Sequence, residues 1–134
     1  MMLGEYLQQG THRARDEGTW DCCTFPCGWA MECGYGDPMA KWRGKYSDEA
    51  GALRIIRKRG SLADLYADAM ESVGVPEVGT ADLVEGDIGV MRLHGDETAG
   101  VFTGTRWAFV AERGLAFITL RDDMVVRAWG PNRG

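Results

Sequence analysis

The sequence predicts an α+β domain, with helices first and an antiparallel sheet last, on three observations. Between residues 47 and 76 apolar side chains recur at helical spacing behind capping residues. From Asp87 onward the period shortens to that of strands, in brief β-rich runs broken by glycine or charge. The change happens once along the chain, which separates the two kinds of element and places the helices on one face of a sheet.

The elements follow in order. Leu3 to Gln9 reads as a short helix, followed by a polar stretch to Trp20. Asp21 reads as the cap of a helix running from about Cys22 to Glu32, with Phe25, Trp29 and Cys33 along one face. The turn Gly34-Tyr35-Gly36-Asp37-Pro38 stops it. Pro26 lies one turn inside, where it removes the bond to the Cys22 carbonyl, so the first turn is distorted or the helix starts near Thr24. Ser47 is expected to cap a helix from Asp48 to Arg59, with Arg57, Lys58 and Arg59 in its last turn and Gly60 as its stop. Ser61 caps the next, in which Leu62, Leu65, Tyr66, Ala69 and Val73 share a face before Gly74 and Pro76.

Five strands are expected in the remainder: Asp87 to Leu93, Ala99 to Thr103, Arg106 to Glu112, Leu115 to Leu120 and Met124 to Trp129, joined as a meander. The helical part ends near residue 75 and the sheet occupies about 86–130. With 134 residues and 45% hydrophobic content, including five Trp, the chain fills one core and forms a single domain.

The formal charge of −5, with acids and bases interleaved, supplies no basic field for a phosphate backbone, so nucleic acid is set aside as a partner. The longest apolar runs, such as Leu115 to Leu120, fall far short of the roughly 20 residues that cross a bilayer, and the opening MMLGEYLQQG has no basic-then-apolar signal segment. Membrane insertion is not expected, and synthesis in a cytoplasm is. Cys22, Cys23, Cys27 and Cys33 crowd into one short stretch, with none elsewhere to staple distant parts of the chain, which points to reduced thiols. Cys23 and Cys27 stand four apart, but no distant Cys or His pair completes four ligands, so neither a metal site nor a cofactor is expected.

Trp20-Asp21-Cys22 at a helix start, Gly86-Asp87 opening the first long strand and Gly100-Val101-Phe102-Thr103-Gly104 in the next resemble the NlpC-type cysteine peptidase superfamily, whose fold is papain-like. The run Trp42-Arg43-Gly44-Lys45-Tyr46, the helix with Ala52 and Arg54, the Gly114-Leu115 turn and the terminal Arg127-Ala128-Trp129 look more closely like a phage and prophage family of unassigned function, whose genes tend to lie among tail genes. The resemblance spans Tyr6 to Trp129. It implies a component of the virion tail tip or hub, made in the bacterial host cytoplasm, with other tail proteins as partners: hub, distal tail and fibre-base proteins. Where an activity survives, the resemblance implies peptidoglycan as its target.

By that resemblance Cys22 is the candidate nucleophile. A helix start also favours a thiolate, which a cysteine mechanism requires, although free cysteine is among the most buried residue types and core packing is the plainer role. The strand that begins with the catalytic histidine in the hydrolases reads Thr98-Ala99-Gly100 here, so Thr98 stands where the base belongs. His94, four residues earlier, is the remaining candidate base and would reach Cys22 only if its hairpin folds inward; His12 lies in the polar N-terminal stretch. Asp21 is a candidate orienting residue, although capping a helix accounts for it fully. Asp87 is expected to bond turn amides at the start of its strand. Two functions follow as expectations: a tail component that keeps the peptidase fold without the complete pair, or an active thiol hydrolase cleaving peptidoglycan stem peptides.

Overall fold

The computed structural model describes residues 1–133. Four helices precede the sheet: α1 (Leu3–Gly10), α2 (Thr24–Glu32), α3 (Glu49–Arg59) and α4 (Leu62–Val73). Six strands follow: β1 (Glu77–Val78), β2 (Ile88–Leu93), β3 (Asp96–Phe102), β4 (Trp107–Val110), β5 (Leu115–Ile118) and β6 (Val125–Trp129), with a short 3-10 turn at Asp122–Met124. The α+β class and the antiparallel sheet expected from the sequence are present.

Of three local expectations, the cap of α3 is corrected and the other two are met. Helix α2 starts at Thr24, which places Pro26 in the first turn, where a backbone N–H has no partner within the helix. Helix α3 is capped by Asp48: its carboxylate accepts the Gly51 N–H at 2.7 Å, while Ser47 lies one residue outside. Gly60 and Gly74 end α3 and α4, both at positive φ, as their positions in the sequence suggested.

The sheet order is β1-β6-β2-β3-β4-β5, so the expected five-strand meander is corrected to a six-stranded sheet with a crossover. Strands β2 to β5 form the meander, and β6 returns across it to pair with β2, with a register shift between Val90 and Met91. β1 adds a two-residue edge beside β6. A pair of residues just after Pro76 carries too little periodicity to be read as a strand.

Alternation along the strands divides the core in two. Ile88, Val90, Ala99 and Val101 face the helices and pack with Phe25, Trp29, Leu65 and Tyr66. Met91, Trp107, Phe109 and Val125 lie on the opposite face, covered by Leu83, Leu93, Phe102 and Leu120. Trp29 crosses between layers, its indole N–H donating to the Gly86 carbonyl at 2.9 Å. Asp87, fully buried at the start of β2, accepts the Val84 N–H at 2.8 Å as expected. It also pairs with Arg133 at 2.7 Å, a partner that nothing in the sequence pattern indicates.

Candidate functional site

The site begins with Asp21. Its carboxylate is buried at the head of α2, where Oδ1 accepts the N–H groups of Cys23 and Thr24, each at 2.9 Å, and so satisfies donors that an unbroken helix leaves open. Oδ2 accepts the Gly18 N–H at 2.7 Å and the Tyr46 hydroxyl at 2.6 Å. Four donors saturate the carboxylate. Asp21 is a helix cap and the anchor of the 18–46 loops, with no lone pair left to orient a base.

That anchoring fixes Cys22, the next residue, at the mouth of a cavity of about 770 Å³ between α3, the head of α4 and the β2–β3 hairpin. The Cys22 and Cys23 sulfurs are 4.0 Å apart. A hydrogen bond from the Cys23 thiol lowers the Cys22 pKa against the opposing effect of burial, and Arg15 favours the same anion. The same bond, followed by burial, pushes Cys23 well up. Cys27 is fully buried and pushed up to about 12 by that burial. Of these three thiols Cys22 alone combines solvent contact with a lowered pKa, the conditions under which a cysteine is nucleophilic.

The cavity wall opposite Cys22 carries carboxylates and guanidinium groups. Glu97 on β3 accepts the Ala63 N–H of α4 at 3.0 Å and pairs with Arg92 at 3.2 Å, while Arg15 and Glu17 pair at 2.7 Å nearer the thiol. Glu97 was missed in the sequence, although a signal existed: by period two it shares the inward face with Ala99 and Val101, and a carboxylate on an inward face needs a partner.

Neither expected base position lines this cavity. His94 has φ 52 and with Gly95 at φ 86 forms the tight two-residue turn between β2 and β3, leaving its imidazole exposed. The inward fold of that hairpin is absent because the register Leu93↔Asp96 closes it as a regular ladder. Thr98 alternates with Glu97 and Ala99, so it turns to the sheet face away from the helices; the expectation that it stands opposite Cys22 is corrected. His12, just past α1, is exposed and also outside the lining. Among the described residues, no cluster of three or more His, Cys, Asp or Glu has metal-binding geometry.

The arrangement defines an α+β domain that presents a partly exposed thiol at a helix head, inside an open cavity of mixed charge. A family model described as a domain of unknown function, DUF6950, matches residues 1–130, and the chain belongs to that family. None of the curated proteins and none of the solved structures matches it.

Proposed function

We propose that the chain is a structural or accessory component of a phage tail, at its tip or hub, built on a papain-like NlpC-type frame whose catalytic pair is incomplete. The observation that carries this reading is the cavity around Cys22, whose lining includes no histidine among the described residues. A cysteine peptidase ordinarily pairs its thiol with an imidazole within hydrogen-bond reach or one water away, and a carboxylate, with an ordinary pKa near 4, is a far weaker base toward a thiol of about 8.5. The sequence motifs supply the link to tails, and fold alone does not supply function. The deciding experiment replaces the chain by its Cys22→Ala variant in a producing phage and compares particle yield and infectivity. Equal yield and equal infectivity are expected of a scaffold. Normal particles that fail to infect would overturn it.

A second reading is favoured by one observation, the lowered pKa of the solvent-contacting Cys22. On this reading the thiolate is made by its surroundings, and the chain is a thiol hydrolase acting on peptidoglycan stem peptides. Release of muropeptide fragments by the wild-type chain, abolished in Cys22→Ala, would establish it; no release at any pH from 5 to 9 would exclude it.

A further inference from the structure

We infer that Cys22 is a modification site for hydroperoxides and that Cys23 is its resolving thiol, the adjacent pair closing to a reversible vicinal disulfide. Both side chains line the cavity between α3, the head of α4 and the β2–β3 hairpin, and their sulfurs stand 4.0 Å apart. Adjacency in sequence alone does not produce this, because neighbours in a strand point to opposite faces and neighbours on a helix do not face each other. The two cysteines sit just ahead of α2, in the bend that Asp21 shapes. The peptide joining them is held at both of its polar atoms: the Cys23 N–H donates to Asp21 at 2.9 Å, and the Cys22 carbonyl faces the Tyr66 hydroxyl at 3.4 Å.

Different exposure divides the work between the two thiols. Cys22 is partly exposed and meets solutes in the cavity, whereas Cys23, 4% exposed, has to meet only Cys22. Their hydrogen bond favours the Cys22 thiolate, the form that attacks a peroxide. The Cys22 sulfur bonds to one peroxide oxygen, the O–O bond breaks, and the leaving hydroxide takes up a proton as water, which leaves Cys22 as a sulfenic acid. The hydrogen bond to the Cys22 anion, the main cause that holds the Cys23 proton, is lost with that charge. The Cys23 sulfur then attacks the Cys22 sulfur; the S–S bond forms as the S–O bond breaks, and the Cys23 proton leaves with the hydroxide as a second water. Two thiols have lost two electrons, and one hydrogen peroxide has gained them.

Position excludes the other cysteines as the resolving partner: Cys27 is fully buried and off the cavity lining, and Cys33 lies at the far end of α2. Adjacent Cα atoms stand about 3.8 Å apart across a trans peptide, below the roughly 4.4 Å at which ordinary disulfides begin, so the closed ring is strained and a free dithiol reopens it. Closure stops Cys22 short of the sulfinic acid, which does not return to the thiol, and withdraws the nucleophile from the cavity. This chemistry needs only the two thiols and is the same whether the chain is a scaffold or a hydrolase.

The test treats the reduced full chain with stoichiometric hydrogen peroxide near neutral pH, denatures it in an alkylating reagent and locates each label by tandem mass spectrometry. Cys22 and Cys23 should lose their labels together, in a fragment lighter by two hydrogens, while Cys27 and Cys33 keep theirs, and dithiothreitol should restore both. Dimedone, which traps sulfenic acid, should label Cys22 several-fold more in Cys23→Ser, where no resolving thiol stands beside it. Circular dichroism unchanged from the wild type certifies that this variant is folded, and the wild-type label map decides the matter without it. A Cys23 that stays alkylated while Cys22 accumulates as sulfenic or sulfinic acid overturns the inference. So does a disulfide from Cys22 to Cys27, to Cys33 or to a second chain, a Cys22 that peroxide leaves unmodified, or equal dimedone labelling of the wild type and the folded variant.

Discussion

The Tyr46 hydroxyl donates to the Asp21 carboxylate at 2.6 Å across 25 residues of sequence, and it is the contact that fastens the 34–46 segment to the head of α2. Burial, and after it the nearby Cys23 and Asp21, push the phenol's pKa far up, so it serves only as a donor. Tyr46→Phe should lower stability by about 2 kcal/mol, the worth of a hydrogen bond to a charged group. Asp21→Ala, which orphans three backbone N–H groups as well, should cost about 4 kcal/mol. Urea denaturation midpoints of the two variants measure the difference; equal losses would show that the hydroxyl carries the whole effect.

Thiol reactivity should be ordered. At pH 7 Cys22 is expected to alkylate first, and Cys27 only when the chain unfolds. In Cys23→Ala the thiol donor is gone, so the apparent pKa of Cys22 should rise and its alkylation near neutral pH should slow several-fold. Peptide mass spectrometry after timed quenching reads each site. An unchanged Cys22 rate would place the cause elsewhere than in the 4.0 Å sulfur contact.

Gly100 is held by space rather than by its backbone angles. A Cβ there would meet the Ala108 carbonyl oxygen at 2.7 Å and the Phe109 ring at 2.9 Å. Gly100→Ala should therefore destabilise by about 1–3 kcal/mol through displacement of β4. A melting temperature within one degree of the wild type would show that β4 yields freely.

Asp87 has no solvent contact and depends on Arg133 for its countercharge. Arg133→Ala should cost about 2 kcal/mol, held to that scale because the guanidinium itself reaches solvent. Adding Asp87→Asn to that variant should recover part of the loss. No recovery would mean that Arg133 acts through its stem rather than its charge.

Acid stability should depend on Asp37. Burial raises its pKa, but hydrogen bonds from Arg43 at 2.8 and 3.1 Å and from the Met39 N–H outweigh burial, leaving it lowered. A carboxyl whose folded pKa lies below its unfolded value stabilises above the unfolded value, near 3.9, and loses that contribution as pH falls through the folded one. The stability gap between wild type and Arg43→Met should thus be constant from pH 7 to 5 and narrow below about 4. A gap unchanged down to pH 2 would contradict it.

The helices were legible because their signals are local: Ser61 and Gly74 bracket α4 within one segment, and capping is decided by a few neighbouring residues. The strands were legible as period-two runs, but their order was not. The pairing of β6 with β2 joins residues about forty apart, and no local pattern records which of two apolar edges a strand will choose. Cys22 at a helix head could be read from the chain, whereas Arg15, Glu97 and Arg92 reach its cavity from three separate segments that only the folded sheet brings together. Thr98 shows the limit most plainly: its position in a motif was clear, but the face it presents depends on a register set by the His94-Gly95 turn.

The return of β6 also orders events in time. β6 lies between β1 and β2, so both those strands keep an open flank until residues 125–129 arrive. The helices and the β2–β5 meander can form with that gap unfilled, and the sheet closes only when β6 pairs across it. A chain without β6 in place presents two unsatisfied strand flanks to chaperones and to other chains, so the hazard of misassembly lasts until β6 pairs with β1 and β2.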